Sequence, residues 1–326
     1  RHGIISSRTS FVKLFINGAY RGVYLNVEHI DDEFLQKRFI DDDQGNLYKA
    51  SWGADLNYWG TNANSYTGVY ELKTNKDSND YGAFISFLDS LNNLSDDDFP
   101  CYMERNFEVN HYLKTLAAEI IIGHWDGHAY NKNNFYLYRQ PSNGKFVFIE
   151  YDLDNTFGID WFGIDWANRD LNAWHQSNRP LVERLLEIPY YKDVFNAHLD
   201  TLLTDLDTSN WYSLLETQQN LIKSAVQSDT YYRKDYGFQF SDFLDALDNS
   251  YGAHVKKGLA EYLDERITSG LNQFNWIGNL EPPCDELPIE PERKIIKIVD
   301  FIGRETQFRT DIPLIIMYDD GTVEKV

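Results

Sequence analysis

Cysteine is nearly absent: the 326-residue chain has two, Cys101 and Cys284. Two are too few for a disulfide framework and these lie too far apart for a metal knuckle. They are expected either to pair, if the chain is exported, or to remain two thiols. Positive charge is short as well. Thirty Lys and Arg stand against 51 Asp and Glu, a net charge of −21. That balance argues against nucleic acid or an anionic membrane as a partner. Long apolar runs are missing too, since no stretch approaches the roughly 20 residues of a membrane-crossing helix. Arg1 opens the chain with no signal-like apolar segment, so an upstream portion is expected. There is no internal repeat and no low-complexity tract.

What is present suits a sizeable core, with 42% apolar and 15% aromatic residues. The length fits one two-lobed unit and a small appendage. Residues 11–30 read as two strands around Asn17-Gly18, a strong hairpin signal. Residues 31–39 suggest a short helix, and short strand-like runs come next at Leu47–Lys49 and Val69–Thr74. Helical spacing returns at 81–94, and most clearly at 108–123. Two aromatic strands, Asn134–Tyr138 and Lys145–Tyr151, flank the turn composition Gln140-Pro-Ser-Asn-Gly144. From Pro180 the patterns are mainly helical, over 181–206, 209–227, 240–249 and 253–274. A Pro-rich stretch, 281–291, ends them, and 294–326 reads as a small β module with an Asp320-Gly321 turn.

The chemistry-bearing feature is His124-Trp125-Asp126, then Asn131 five residues after the aspartate, then the hairpin, then Asp152. Phosphoryl transfer needs a carboxylate to receive the acceptor hydroxyl's proton and hard oxygen ligands for a metal bridging nucleotide phosphates. Protein kinases meet both needs with a catalytic loop of the same Asp–Asn spacing and a metal-binding Asp after a strand pair. In so acidic a chain, a bound divalent cation would also offset local carboxylates. An isolated Asp-x4-Asn is common, and loop Asp and Asn residues ordinarily cap or turn the chain. The ordered set of helix, loop, hairpin and second Asp is what lifts Asp126, Asn131 and Asp152 above that. Asp154 is read either as sharing the metal or as opening the next turn. His124 and Trp125 are read as packing the loop, and His128 as a structural loop histidine or as one that orients the loop or contacts phosphate. The run Asp160–Asp165 is read as an acceptor surface or as a buried aromatic lid.

These segments resemble the spore coat protein H (CotH) kinase family. The matching residues are Phe11–Tyr24 with Glu28, Gly45–Lys49, Trp125-Asp126 through Asn131–Tyr138, and Tyr151–Gly158. The resemblance covers about 4–275. It implies an α+β, atypical protein-kinase-like fold of two lobes, with a small β-rich N-lobe at about 1–100 and a mainly helical C-lobe at about 101–278. It also implies use of ATP with Mg²⁺ or Mn²⁺, and phosphorylation of Ser or Thr, with Tyr as a further option, on an exported protein substrate. Carried over, Asp126 is the catalytic-loop base, and Asp152 and Asn131 hold metal, with Asp154 a further candidate. Lys49 or Lys73 pairs the nucleotide phosphates, and Glu28 is the ion-pair partner of that lysine. The Asn17–Gly22 turn is a candidate phosphate cover, although it lacks the spaced glycines of ordinary kinases. Family members usually carry more sequence ahead of the first hairpin, which bears on the nucleotide pocket.

After a linker at 279–293, the tail at Lys297–Glu305 and Ile316–Lys325 resembles the sorting module of type IX secretion substrates. A generic β appendage is the alternative. A secreted or surface-exposed monomer is expected. Two other functions remain open on the same fold: AMP transfer with the nucleotide reversed, and a non-catalytic surface-binding or adhesin protein.

Overall fold

Two residues set the first hairpin. Asn17 and Gly18 take φ of 51° and 77°, the left-handed values that a two-residue hairpin turn demands at both positions. They join β1 (Thr9–Ile16) to β2 (Ala19–Val27) as an antiparallel two-stranded sheet. The computed structural model describes residues 2–208, 211–273, 295–300, 314–318 and 323–325. The chain divides into two units, Arg1–Pro283 and Cys284–Val326.

After β2, Asp31 caps α1 (Asp32–Arg38) by accepting from the backbone N–H groups of Glu33 and Phe34. A four-stranded antiparallel sheet comes next, in the order β4-β3-β5-β6. Its strands are β3 (Leu47–Ala50), β4 (Tyr70–Leu72), β5 (Phe135–Arg139) and β6 (Phe146–Glu150). Side chains alternate across it. Tyr48, Leu72, Leu137 and Phe148 enter the main core with α2 (Gly82–Asn93) and α4 (Val109–Ile122). Leu47, Tyr136, Tyr138, Val147 and Ile149 meet Phe34 and Leu35 of α1 in a second cluster. Both faces are covered, which is why β5 and β6 read as near-continuous apolar runs.

This sheet draws its strands from both sides of residue 100. β3 and β4 come from before it and β5 and β6 from after it, yet they share one ladder. The main core likewise runs from Tyr48 to Leu263. Strand pairing across the sequence, which local pattern does not encode, joins the two halves.

The remaining helices of this unit are α3 (Phe99–Asn106), α5 (His128–Asn131), α6 (Pro180–Glu187), α7 (Pro189–Thr208), α8 (Trp211–Gln227), α9 (Tyr231–Tyr236), α10 (Phe240–Asp245) and α11 (Leu259–Gln273). The helix expected over 181–206 is broken at Ile188 because Pro189 disfavours helical geometry in the residue before it. The helix expected from 253 starts at Leu259, since Val255 instead bridges to Tyr251 and Ile159. In the second unit, β7 (Ile295–Asp300), β8 (Leu314–Tyr318) and β9 (Val323–Lys325) form an antiparallel sheet in that order. The linker 279–293 and the turns between these strands lie outside the described residues. Cys101 is disulfide-bonded, and Cys284 is outside the described residues.

Candidate active site

Helix α4 must stop abruptly to present Asp126. Gly123 ends it at φ 74°, in the left-handed region where glycine is favoured. A Cβ there would sit 2.3 Å from the Tyr262 hydroxyl, so a larger residue cannot replace it without movement. The chain then turns back on itself, with the His124 N–H donating to Glu119 O at 2.8 Å. Trp125 donates from its indole to Ile159 O at 2.7 Å. Helix α5 is next, braced by buried Arg179, whose guanidinium donates to His128 O at 2.9 Å and to Tyr130 O. Arg266, also buried, donates to Ile120 O at 2.9 Å at the end of α4.

On this frame Asp126 is surrounded by amides. Asn131 Nδ2 donates to its Oδ1 at 2.5 Å, and Asn134 Nδ2 donates to Oδ2 at 3.1 Å. Asn155 Nδ2 reaches Oδ2 at 3.4 Å and also donates to Asp154 at 2.9 Å. Asn131 and Asp126 are therefore brought together. Asn134 and Asn155 are not singled out by the motif spacing, although both lie inside the segments that carry the resemblance. Their signal is the second asparagine in Asn133-Asn134 and the asparagine in Asp154-Asn155. The backbone is strained here: Lys132, Asn134 and Asp152 have φ of 58°, 55° and 56°. Left-handed lysine is uncommon, and such strain gathers at functional sites.

β6 delivers Asp152 to the same place, with Tyr151 N–H donating to Asn134 O at 3.1 Å. Burial, and then the carboxylates of Asp152 and Asp126, push the Asp154 carboxyl above its ordinary range. Asp154 thus lies within electrostatic reach of both Asp152 and Asp126. Among the described residues no group of three or more His, Cys, Asp or Glu is gathered to ligating distance. The donor set fits a hard divalent cation held by one or two protein oxygens and completed by phosphate oxygens and water, the habit of Mg²⁺. Asp152 and the Asn131 carbonyl oxygen are the groups present for it, since Asn131 spends its amide N–H on Asp126.

Of the two candidate lysines, Lys49 lies beside this hairpin. Its ammonium stands over the Tyr151 ring at 4.6 Å and the Tyr136 ring at 5.8 Å. Lys73 is ion-paired to Glu71 at 3.1 Å. Glu28 is not brought to either lysine. It clamps the hairpin base to α1 through Arg8 at 2.5 Å and Arg38 at 2.6 Å. The Arg8 hydrogen bond, followed by Arg38, holds its carboxyl down at about 2 against the pull of burial. Glu71 is the β-register partner of Lys49 and shares its face of the sheet, the position expected for Glu28. The Asn17–Gly22 turn contacts α8 and α9, with Tyr20 donating to Ala225 O and Arg21 over the Tyr231 ring at 4.4 Å.

Behind the loop lies a buried polar layer. Burial lowers His124 to about 4 and His128 to about 3, raises Glu150 to about 8 and raises Glu119 well above its ordinary range. In front, Asp160 accepts from the N–H groups of Phe162, Gly163 and Ile164 and from the Trp166 indole. Trp166 is buried, whereas Trp161 and Phe162 are 60% and 52% exposed. The segment is an open aromatic surface rather than a buried lid, and Phe162 packs edge-on against Trp125 at 5.0 Å.

The chain matches the family model described as CotH kinase protein over residues 1–268 and belongs to that family. It is 26% identical over 242 residues to the inner spore coat protein H of Bacillus subtilis, covering 72% of this chain and 64% of that protein. Against invasin CotH3 of Rhizopus delemar it is 25% identical over 301 residues, 84% of this chain and 50% of the relative. Against invasin CotH2 of the same fungus it is 29% identical over 166 residues, 48% of this chain and 28% of the relative. The chain thus spans between about a quarter and two thirds of these relatives. Among the described residues no helix is long and apolar enough to cross a membrane.

Proposed function

We propose that the chain is an atypical, kinase-like phosphotransferase that moves the ATP γ-phosphate to a Ser or Thr hydroxyl of an exported protein. The observation that carries this reading is the amide-held carboxylate of Asp126 gathered with Asp152 around Asp154, with Lys49 over the neighbouring Tyr151 ring. A carboxylate has about four acceptor positions. Three amides engage Asp126 and fix its orientation, leaving room for the proton of an incoming hydroxyl. A bound Mg²⁺ or Mn²⁺ would neutralise phosphate charge, and Asp152 with Asn131 would hold it. Lys49 would supply a positive charge to the phosphates, the role for which Lys73, already paired, is less available. The bond formed joins the acceptor oxygen to the γ-phosphorus, the β–γ bridging bond breaks, and ADP leaves. Export draws support from the disulfide at Cys101, a bond typical of oxidising compartments, and from relatives named as a spore coat protein and as invasins.

Purified chain incubated with γ-labelled ATP and Mg²⁺ or Mn²⁺ should pass label to protein, and Asp152→Ala should abolish it. Equal labelling by the two proteins would overturn the assignment. Label passed from α-labelled ATP would instead mark AMP transfer.

A second reading, a non-catalytic surface-binding protein on the same fold, is favoured by the exposure of Trp52 (74%) and Trp161 and by the relatives named invasins. Calorimetry separates the two. Mg²⁺-dependent ATP binding lost in Asp152→Ala supports the phosphotransferase; its absence in the unaltered chain supports the surface binder.

A further inference from the structure

Away from Asp126, the β1–β2 hairpin faces α8, α9 and α10 across a cavity of about 470 Å³. That volume lies within the range of ligand sites. Phe11 and Leu25 are register partners, and Val23 lies two residues from Leu25, so all three project from one face of the hairpin. They form one wall. The opposite wall is an aromatic ladder. Phe238 stacks on Tyr232 with centroids 5.0 Å apart and planes at 12°, and packs against Tyr251 at 4.9 Å. Phe11, Leu25, Tyr232 and Tyr251 keep between 41% and 55% of their surface in water. Apolar surface concentrated in this way on a soluble unit marks a site that something covers.

The charges around the cavity have one dominant sign. Asp229, Asp242 and Asp245 line it, against a single cationic residue, Arg233. Asp229 holds the hairpin and the start of α9, accepting from the N–H groups of Val23 and Tyr231. Asp242 caps the start of α10 through Gln239 N–H at 2.7 Å. Asp245 makes no side-chain hydrogen bond or ion pair with the described residues. The carboxylates lie on two sides, Asp229 at the α8–α9 junction and the others on α10, with the aromatic ladder between. Aromatic faces attract cations as well.

We propose that this cavity is a docking pocket for a short peptide segment of a protein partner. A large apolar or aromatic side chain would seat between hairpin and helices, with lysine or arginine on either side meeting the carboxylates. A chain segment with cations flanking one apolar anchor fits charges placed on both sides, which a ligand with one charged end does not. None of Asp126, Asn131, Asp152 or Asp154 lines the pocket, and docking there needs no phosphotransfer at the Asp126 site.

The test is fluorescence polarisation on the full chain at physiological salt with three labelled hexapeptides. One has a Trp-Leu centre flanked by lysines, the second has the same centre flanked by glutamates, and the third has a Gly-Gly centre flanked by lysines. The first is expected to bind and the other two to bind at least about tenfold more weakly. Ala246→Trp, on the pocket lining, should weaken the first peptide about tenfold by filling the cavity, and Asp245→Lys about fivefold. Circular dichroism melts of both variants should match the parent. Equal binding of the glutamate peptide removes the role of charge, and equal binding of the Gly-Gly peptide reduces the effect to the net charge of the surface. Binding by the first peptide that both variants leave unchanged puts the site elsewhere. No binding by the first peptide overturns the pocket altogether.

Discussion

Asp126 and its three amides form a demanding arrangement, because one carboxylate meets asparagines from α5, from the entry to β5 and from the loop after β6. The nearby lysines can be told apart by experiment. Lys49→Ala should weaken Mg²⁺-dependent ATP binding about tenfold or more, as expected for losing a charged phosphate contact of about 1.5–3 kcal/mol. Lys73→Ala should leave it within twofold, about the effect of an exposed pair, as read by calorimetry. Glu28 separates structure from chemistry in the same way. Glu28→Gln should lower the melting temperature by loosening the clamp on Arg8 and Arg38, with ATP affinity unchanged. A lost affinity with an unchanged melt would restore Glu28 to the nucleotide site. Asp126, Asn131 and Asp152 stand out in the sequence because their spacing along the chain is itself the motif. It misassigns Glu28 because partner choice among charges depends on which loops fold together.

At the level of the element, the end of α4 controls where Asp126 points. Gly123→Ala places a Cβ at positive φ and 2.3 Å from the Tyr262 hydroxyl. The change should cost about 2 kcal/mol or more in urea unfolding and reduce phosphotransfer more steeply than stability, since the loop begins one residue later. A variant as stable and as active as the parent would show that the end of α4 does not aim Asp126. Helix α4, helix α2 and the first hairpin were all legible, each with a clear apolar period or an Asn-Gly turn. Short α3 and α9 were not, since helices of one or two turns carry too little periodicity to stand out. The β3–β5 pairing was not legible either, because it joins residues almost ninety apart, Lys49 and Tyr136.

Across the whole molecule, buried ionisable groups set how stability depends on pH. Burial, reinforced by Lys114, lowers His111 and His198 to about 4, and burial, reinforced by Arg179, lowers His128 to about 3, from an ordinary value of 6.5. The unfolded chain therefore binds more protons than the folded one below pH 6.5. These histidines give stability that is complete above that value and is lost as pH falls toward about 4. Each contributes up to about 1.4 kcal/mol per pH unit in that window. Glu119 works in the opposite sense. Its carboxyl is raised well above the ordinary 4.5 by burial and by Glu150, so the neutral folded form loses stability as pH rises above 4.5. Thermal melts from pH 4 to 8 should show a maximum near 6.5, with a fall on the acid side from the histidines, partly offset by Glu119 and Glu150, and a decline on the alkaline side from those two carboxyls. Glu119→Gln should flatten the decline above pH 6.5 and steepen the fall below it, and a melt that rises steadily into acid would contradict the burial of these histidines.

The sequence alone is enough for the features that local spacing and residue type control: the hairpin at Asn17-Gly18, the run of α4 into Asp126, the five-residue step to Asn131, and the placing of Asp152 after a second strand. It also determined the family, since that match rests on ordered motifs. Tertiary packing alone brings one four-stranded sheet across the two halves of the first unit, completes the cradle of Asp126 with Asn134 and Asn155, sets Lys49 over Tyr151 while Lys73 pairs with Glu71, and gives Glu28 to Arg8 and Arg38. Those contacts depend on burying both faces of a sheet whose strands are far apart in the chain. Long-range burial, unlike a turn or a helix period, leaves no local trace.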